Sequence, residues 1–205
     1  MDKKDILNAF EFRHACKEFD ESKKISDEDI RFILETGRLS PSSFGLEQWK
    51  FLVVQKPEIK TKLRAASYDQ LQLSTASHIV VILAKKGLYE PGNDHVAEMF
   101  KRWNYPEEIY NYLIEFHSKL AGNMDLTQWA VEQCHLAAAN MMTTAAMIGI
   151  DSCPIGGFEP DKANEALKID TDKYKIAMII PFGYRANQQP AKTRLPFDEV
   201  VEFYS

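Results

Sequence analysis

His78-Ile79-Val80-Val81-Ile82-Leu83-Ala84 is a continuous apolar run the length of one strand. A strand that is apolar at every position has both of its faces covered, so this run predicts the centre of a sheet. Working outward, Trp49 to Val54, closed by Pro57, and Lys175 to Phe182 predict two more strands. Ile150 to Phe158 predicts a short strand followed by a Gly-Gly turn.

Helical spacing fills the remainder. Apolar Ile6, Leu7, Ala9, Phe10 and Phe12 predict a helix over Asp5 to His14. Ser26 followed by three acids predicts a capped start, and the helix it opens ends near Gly37 and the Ser40-Pro41 break. Pro57 to Ala66 reads as a helix with Pro in its first turn, Tyr68 to Ala76 as a further helical segment, and Asp161 to Leu167 as another helix. Asn93 to Ala121 is helical, broken at Pro106, and reads as a lid or interface arm. The longest candidate runs from Asp125 to Ile150 and is apolar almost all round, which predicts burial on every side. In a chain of 205 residues, covering such a helix completely calls for a second subunit, so a homodimer is expected. Arg185 to Ser205 reads as a long polar arm.

Length and composition predict one domain spanning 1–205, with a helical excursion at about 93–122 and a C-terminal arm at about 185–205. The formal net charge is −5 and there is no polybasic tract, which argues against nucleic acid or anionic membrane as a partner. Three cysteines, Cys16, Cys134 and Cys153, show neither CxxC nor metal-ligand spacing, so no metal site is expected. Free thiols and the lack of a signal-peptide pattern in the first residues lead to an expected cytoplasmic location.

Against this acidic background, Arg13-His14-Ala15-Cys16-Lys17 concentrates cations in one stretch. Arg13 and Lys17 either pair with nearby Glu11, Glu18 and Asp20 or hold an anion. If the helix continues, the two share a face; if it breaks, they can clasp one ligand from two directions. The motifs of P-loop, dinucleotide-fingerprint, hydrolase-elbow and zincin proteins are absent. His78 and His135 read as structural, and no Asp or Glu pair has a spacing that demands acid–base work, so no catalytic side chain is expected.

Several separated pieces together resemble the FMN-dependent NAD(P)H nitroreductase and flavin reductase family, of the oxygen-insensitive nitroreductase type. They are Arg13-His14-Ala15-Cys16-Lys17-Glu18-Phe19, Ser40-Pro41-Ser42-Ser43, Trp49-Lys50-Phe51, Ala76-Ser77-His78, Pro154-Ile155-Gly156-Gly157 and Lys192-Thr193-Arg194. The resemblance runs from about residue 10 to 196. It implies an α+β fold with a mostly antiparallel central sheet flanked by helices, the long buried helix lying at a dimer interface, and one FMN per subunit with NADH or NADPH as reductant. By the same resemblance, Arg13, His14, Ala15, Cys16, Lys17, Lys192 and Arg194 surround the FMN phosphate and ribityl region. Pro41, Ser42 and Ser43 would reach the flavin of the other subunit, Gln70 and Gln72 would offer side-chain amides, and Pro154, Ile155, Gly156 and Gly157 would approach the ring. The acceptor would be a small molecule such as a nitroaromatic, a quinone or free flavin.

Three positions depart from the family pattern: Cys16 stands where Thr or Ser is usual, Gly156 where many members have Glu, and Glu47-Gln48-Trp49 where Gln-Pro-Trp is common. The Cys and Gly-Gly features resemble the metronidazole-activating subgroup. Cys16 reads either as a thiol activated by Arg13, His14 and Lys17 or as a small packing residue. Two other readings stay open, a flavoenzyme of the same fold with different chemistry (reductive dehalogenation or flavin breakdown) and a non-catalytic flavin-binding protein.

Overall fold

In a computed structural model that describes residues 2–204, the apolar run becomes β2 (His78–Lys85), whose residues 78–84 are all buried. It pairs antiparallel with β1 (Trp49–Val54) on one side and β4 (Tyr174–Gly183) on the other. A two-residue strand, β3 (Asp151–Ser152), adds antiparallel outside β4, giving the order β1-β2-β4-β3. Alternation along β2 divides the core. Val80, Ile82 and Ala84 face one layer with Ile33 of α2 (Asp27–Arg38) and Met141 of α7 (Leu126–Met147). Ile79, Val81 and Leu83 face a second layer with Leu63 of α3 (Pro57–Ala66) and Ala163 of α8 (Pro160–Leu167). Because both faces are covered, β2 has no polar alternation to show.

Local chemistry sets the helix ends. The Asp2 and Asp5 side chains each accept from the other's backbone N–H and start α1 (Lys3–Phe12), two residues short of the predicted His14. Ser26 accepts from the Asp29 N–H and starts α2. Where α2 crosses α7, a Cβ added to Gly37 would lie 2.8 Å from the buried Met141 side chain, so glycine is what permits this approach. Tyr68 and Asp69 have φ of 54° and 55°, a left-handed turn that stops the segment from Tyr68 to Ala76 becoming one helix. Only α4 (Gln72–Thr75) forms there. The excursion breaks at Pro106 as expected, into α5 (Asp94–Lys101) and α6 (Glu107–Ala121).

Two expectations need adjusting. α7 stops at Met147 rather than Ile150, and this chain by itself covers it on one side only, leaving the other to whatever packs against it. Ala130, Cys134, Ala137, Ala138, Met141 and Ala145 are buried, while Glu132, His135, Leu136, Ala139, Asn140 and Met147 form an exposed stripe. Alanines on both sides blurred this division, since Ala137 and Ala138 are buried and Ala139 is exposed. The tail is also not simply polar. It includes α9 (Phe197–Val200), and Leu195, Phe197, Val200, Phe203 and Tyr204 are exposed.

Candidate functional site

Because α1 ends at Phe12, the cation segment is extended rather than helical, and Arg13 has φ −67° and ψ 124°. Ala15 bridges in parallel to Ser152, and the Cys16 N–H donates to the Ser152 carbonyl at 3.2 Å, so residues 13–17 lie along β3. What ties them down is a side-chain network that no local sequence pattern indicated. Arg185, just past β4, meets buried Asp151 through Nη2 at 2.7 Å and Nε at 3.1 Å. Its guanidinium also donates to the Phe12 carbonyl and to Gln189, and stacks 4.1 Å above the Phe12 ring. His14 Nδ1 stands 3.6 Å from Asp151. Burial, then Arg185, lowers the His14 pKa, so the ring is neutral beside an already paired carboxylate.

Arg13 and Lys17 do not pair with the nearby acids. Asp20 is taken by Lys23 and Glu18 accepts from Asn187. Among the described residues, no carboxylate lies within ion-pair reach of Arg13, Lys17, Lys192 or Arg194. Lys192 is brought back from the tail to donate to the Arg13 carbonyl. Partial burial, then Arg13 and Arg194, lower its pKa, as expected of a cation among cations. Arg194 itself is exposed and donates to the adjacent Thr193 carbonyl. The result is four cations and no counter-charge, an arrangement suited to an anion with several oxygens.

From Lys17 a chain of polar contacts leads away from the cations. Lys17 Nζ points at the Cys153 sulfur at 4.0 Å, which Gln72 Nε2 also faces at 3.8 Å. Gln72 donates to Gln70 at 2.8 Å, and Gln70 to the Gly157 carbonyl at 3.1 Å. Ile155 bonds in both directions with Ile179 of β4, which holds Pro154 to Gly157 at the sheet edge. A Cβ added at Gly156 would meet nothing within 4 Å. Beside these residues His14, Ala15, Cys16, Lys17, Leu71 and Gln72 line a cavity of about 510 Å³. One chain therefore brings together Arg13 to Lys17, Gln70, Gln72, residues 154–157 and Lys192.

It does not bring in Pro41, Ser42 and Ser43. Their loop is bound to its own surroundings: Ser42 Oγ accepts from the Glu47 N–H, and the Ser43 N–H donates to Gln133 of α7. Phe44, at φ 56°, inserts its ring among Phe100, Phe116, His117 and Trp129. Among the described residues no hydrogen bond or ion pair links this loop to the cation segment.

Of the two readings of Cys16, the structure has the packing one. The thiol is 2% exposed, donates to the Glu18 carbonyl, and is pushed up to about 11 chiefly by burial. Sequence reading missed Arg185 and Asp151. They stand 34 residues apart, and a long-range ion pair leaves no spacing signal.

The Nitroreductase family profile matches residues 10–184. A Bacillus subtilis protein provisionally named NAD(P)H nitroreductase YfkO is 44% identical, covering 98% of each chain. A Staphylococcus epidermidis protein, provisionally named an NAD(P)H nitroreductase, is 46% identical over 97% of this chain and 96% of its own. A crystal structure from Exiguobacterium sibiricum, provisionally described as a nitroreductase in complex with FMN, superposes with a TM-score of 0.80 at 25% identity, covering 100% of this chain and 98% of that one.

Proposed function

This chain belongs to the nitroreductase family and is an oxidoreductase, and from that premise we propose that it binds FMN and uses NADH or NADPH to reduce a small acceptor such as a nitroaromatic, quinone or free flavin. One observation carries the proposal: among the described residues Arg13, Lys17, Lys192 and Arg194 have no carboxylate partner, and they lie next to a cavity edged by Gln72. That donor set fits FMN, whose one terminal phosphate matches clustered cations and whose ring matches a row of amides. When bound, FMN supplies the electron relay between a nicotinamide and an acceptor.

The chain's own residues would bind and orient. Arg13, Lys17, Lys192 and Arg194 neutralise the phosphate, with Arg offering paired N–H donors and Lys a mobile charge. Gln70 and Gln72 turn their amides toward the flavin or ribityl oxygens. Gly156 and Gly157 let backbone approach the ring. Asp151 and Arg185 would hold the segment in place through their ion pair and the Phe12 carbonyl. No side chain is assigned as acid or base.

A homodimer completes the proposal. The exposed α7 stripe, with Leu136 and Met147, and exposed Ile6, Leu7 and Phe10 of α1 form apolar surface that a second copy would cover. The Ser42-Ser43 loop would then serve the partner's flavin. Within the proposal the chain is one domain whose α5–α6 arm and tail reach outward, and free thiols favour a reducing, cytoplasmic setting. Flavin released from purified protein by heat and separated by chromatography should be FMN. FAD, or no flavin after incubation with excess FMN, would overturn the proposal.

A further inference from the structure

A second cavity, of about 670 Å³, lies on the far side of α4 from the cation segment. Gln72 faces the candidate flavin site, whereas Ser74, Ala76, Ser77 and His78 line this other cavity together with Ile25, Pro57 and Lys60. Its side chains are absorbed by none of the roles above. The wall holds an unusual group: Lys60 is only 7% exposed. Its ammonium donates to the Ala76 carbonyl at 2.6 Å and the Ser77 carbonyl at 2.8 Å. An ammonium has three donors, and the described residues supply no third partner and no carboxylate within ion-pair reach.

Burying a charge without a counter-charge is costly, and two carbonyl dipoles offset it only in part. The neighbours do not complete it. His78, 3% exposed, already has both ring nitrogens engaged, Nδ1 by Ser77 Oγ at 3.0 Å and Nε2 by the Gln55 amide. Glu21, Lys24 and Asp27 stand exposed at the rim. Burial lowers the Lys60 pKa most, and Lys24 lowers it more than Glu21 raises it.

We propose that this cavity binds a small monocarboxylate, its carboxylate taking the third N–H of Lys60 with Lys24 reinforcing from the rim. Ile25, Pro57 and Ala76 offer apolar wall to a short carbon chain. The rim carboxylates of Glu21 and Asp27 oppose a second negative charge, which selects against phosphate. The site shares no proposed flavin-binding residue and stands or falls independently of the flavin reading.

The test is thermal unfolding of FMN-saturated protein titrated with sodium propionate, with sodium chloride and sodium phosphate at matched ionic strength as separate arms. Propionate should raise the melting temperature saturably beyond chloride. In Lys60→Met its half-saturating concentration should rise at least about tenfold. Lys24→Ala changes an exposed side chain and keeps the test decisive if Lys60→Met does not fold; there the rise should be about threefold. Arg194→Ala should leave the propionate effect unchanged. A propionate effect equal to that of chloride, or unaltered in Lys24→Ala, would overturn the proposal. Loss of the effect in Arg194→Ala would place the anion at the flavin site instead, and saturable stabilisation by phosphate but not propionate would overturn the assigned ligand class.

Discussion

Replacing Arg185 by Ala strands Asp151, which is 4% exposed and whose principal cationic partner is this guanidinium. Removing one partner of a buried pair costs about 3–5 kcal/mol because the remaining charge is left desolvated. The Arg185 side chain is 23% exposed and His14 remains 3.6 Å away, so the lower end, about 3 kcal/mol, applies. Loss of the stacking over Phe12 adds about 0.5 kcal/mol for a partly exposed cation–π contact. The sum is about 3.5 kcal/mol. With a urea m-value of about 2 kcal/mol/M, the midpoint should fall by about 1.7 M with m unchanged. Tryptophan fluorescence in urea, at one fixed protein concentration and without added FMN, measures this. The double variant Asp151→Leu/Arg185→Met should regain most of the loss, since an apolar pair leaves no stranded charge. A midpoint within about 0.2 M of the parent for Arg185→Ala would refute the clasp, as would a double variant no better than the single.

Lys17→Ala and Arg194→Ala should each weaken FMN binding by about 1.5–3 kcal/mol, the range for a charge-assisted hydrogen bond, or about 10- to 150-fold in Kd by fluorescence titration. Unchanged affinity in both would remove the phosphate assignment. His14, His78, His95 and His117 all have lowered pKa values, chiefly through burial. The unfolded chain therefore binds more protons below about pH 6.5, so stability is full above that value and drains as pH falls through the window down to each lowered pKa. His117, 2% exposed with the Phe44 ring centred 5.4 Å away, is caged by aromatic rings, and His117→Phe should make the fall between pH 7 and pH 5 measurably shallower in urea titrations. Cys16 and Cys134 are raised to about 11 and about 12, and Cys153 is raised as well, so a disulfide reagent at pH 7.5 should modify all three slowly in native protein and at once in urea. Gly156→Glu meets no clash and should keep FMN bound while lowering its midpoint potential by about 30 mV, equivalent to about 1.4 kcal/mol for a two-electron couple. An unchanged potential in dye-equilibration titrations would mean that the side chain points away from the ring.

The sheet was legible because β2 announces itself: seven buried residues without alternation admit little but a covered central strand. The helices were legible from caps and breakers such as Ser26, Pro57 and Pro106. Tyr68 and Asp69 misled, since their left-handed backbone is imposed by context and neither is a glycine. On α7 the two sides were hard to tell apart because alanines lie on both, Ala137 and Ala138 buried and Ala139 exposed. The cation cluster was visible as a motif, but its orientation was not. That depends on the ion pair of Asp151 with Arg185, on the return of Lys192 to the Arg13 carbonyl, and on an α1 end two residues earlier than expected. Lys60 gave no signal at all: in sequence it is one more lysine on a charged helix, and only the fold encloses it.

The central claim is that these residues hold an FMN reducible by NAD(P)H, and one visible spectrum tests it most directly. Protein saturated with FMN, freed of unbound flavin and kept anaerobic, is recorded before and after one equivalent of NADPH and, separately, of NADH. We expect the flavin absorbance to bleach with at least one of the two, and to return when a quinone or nitroaromatic is added. Bound FMN that neither nucleotide bleaches, although dithionite does, would contradict the claim and leave a flavin-binding protein without this activity.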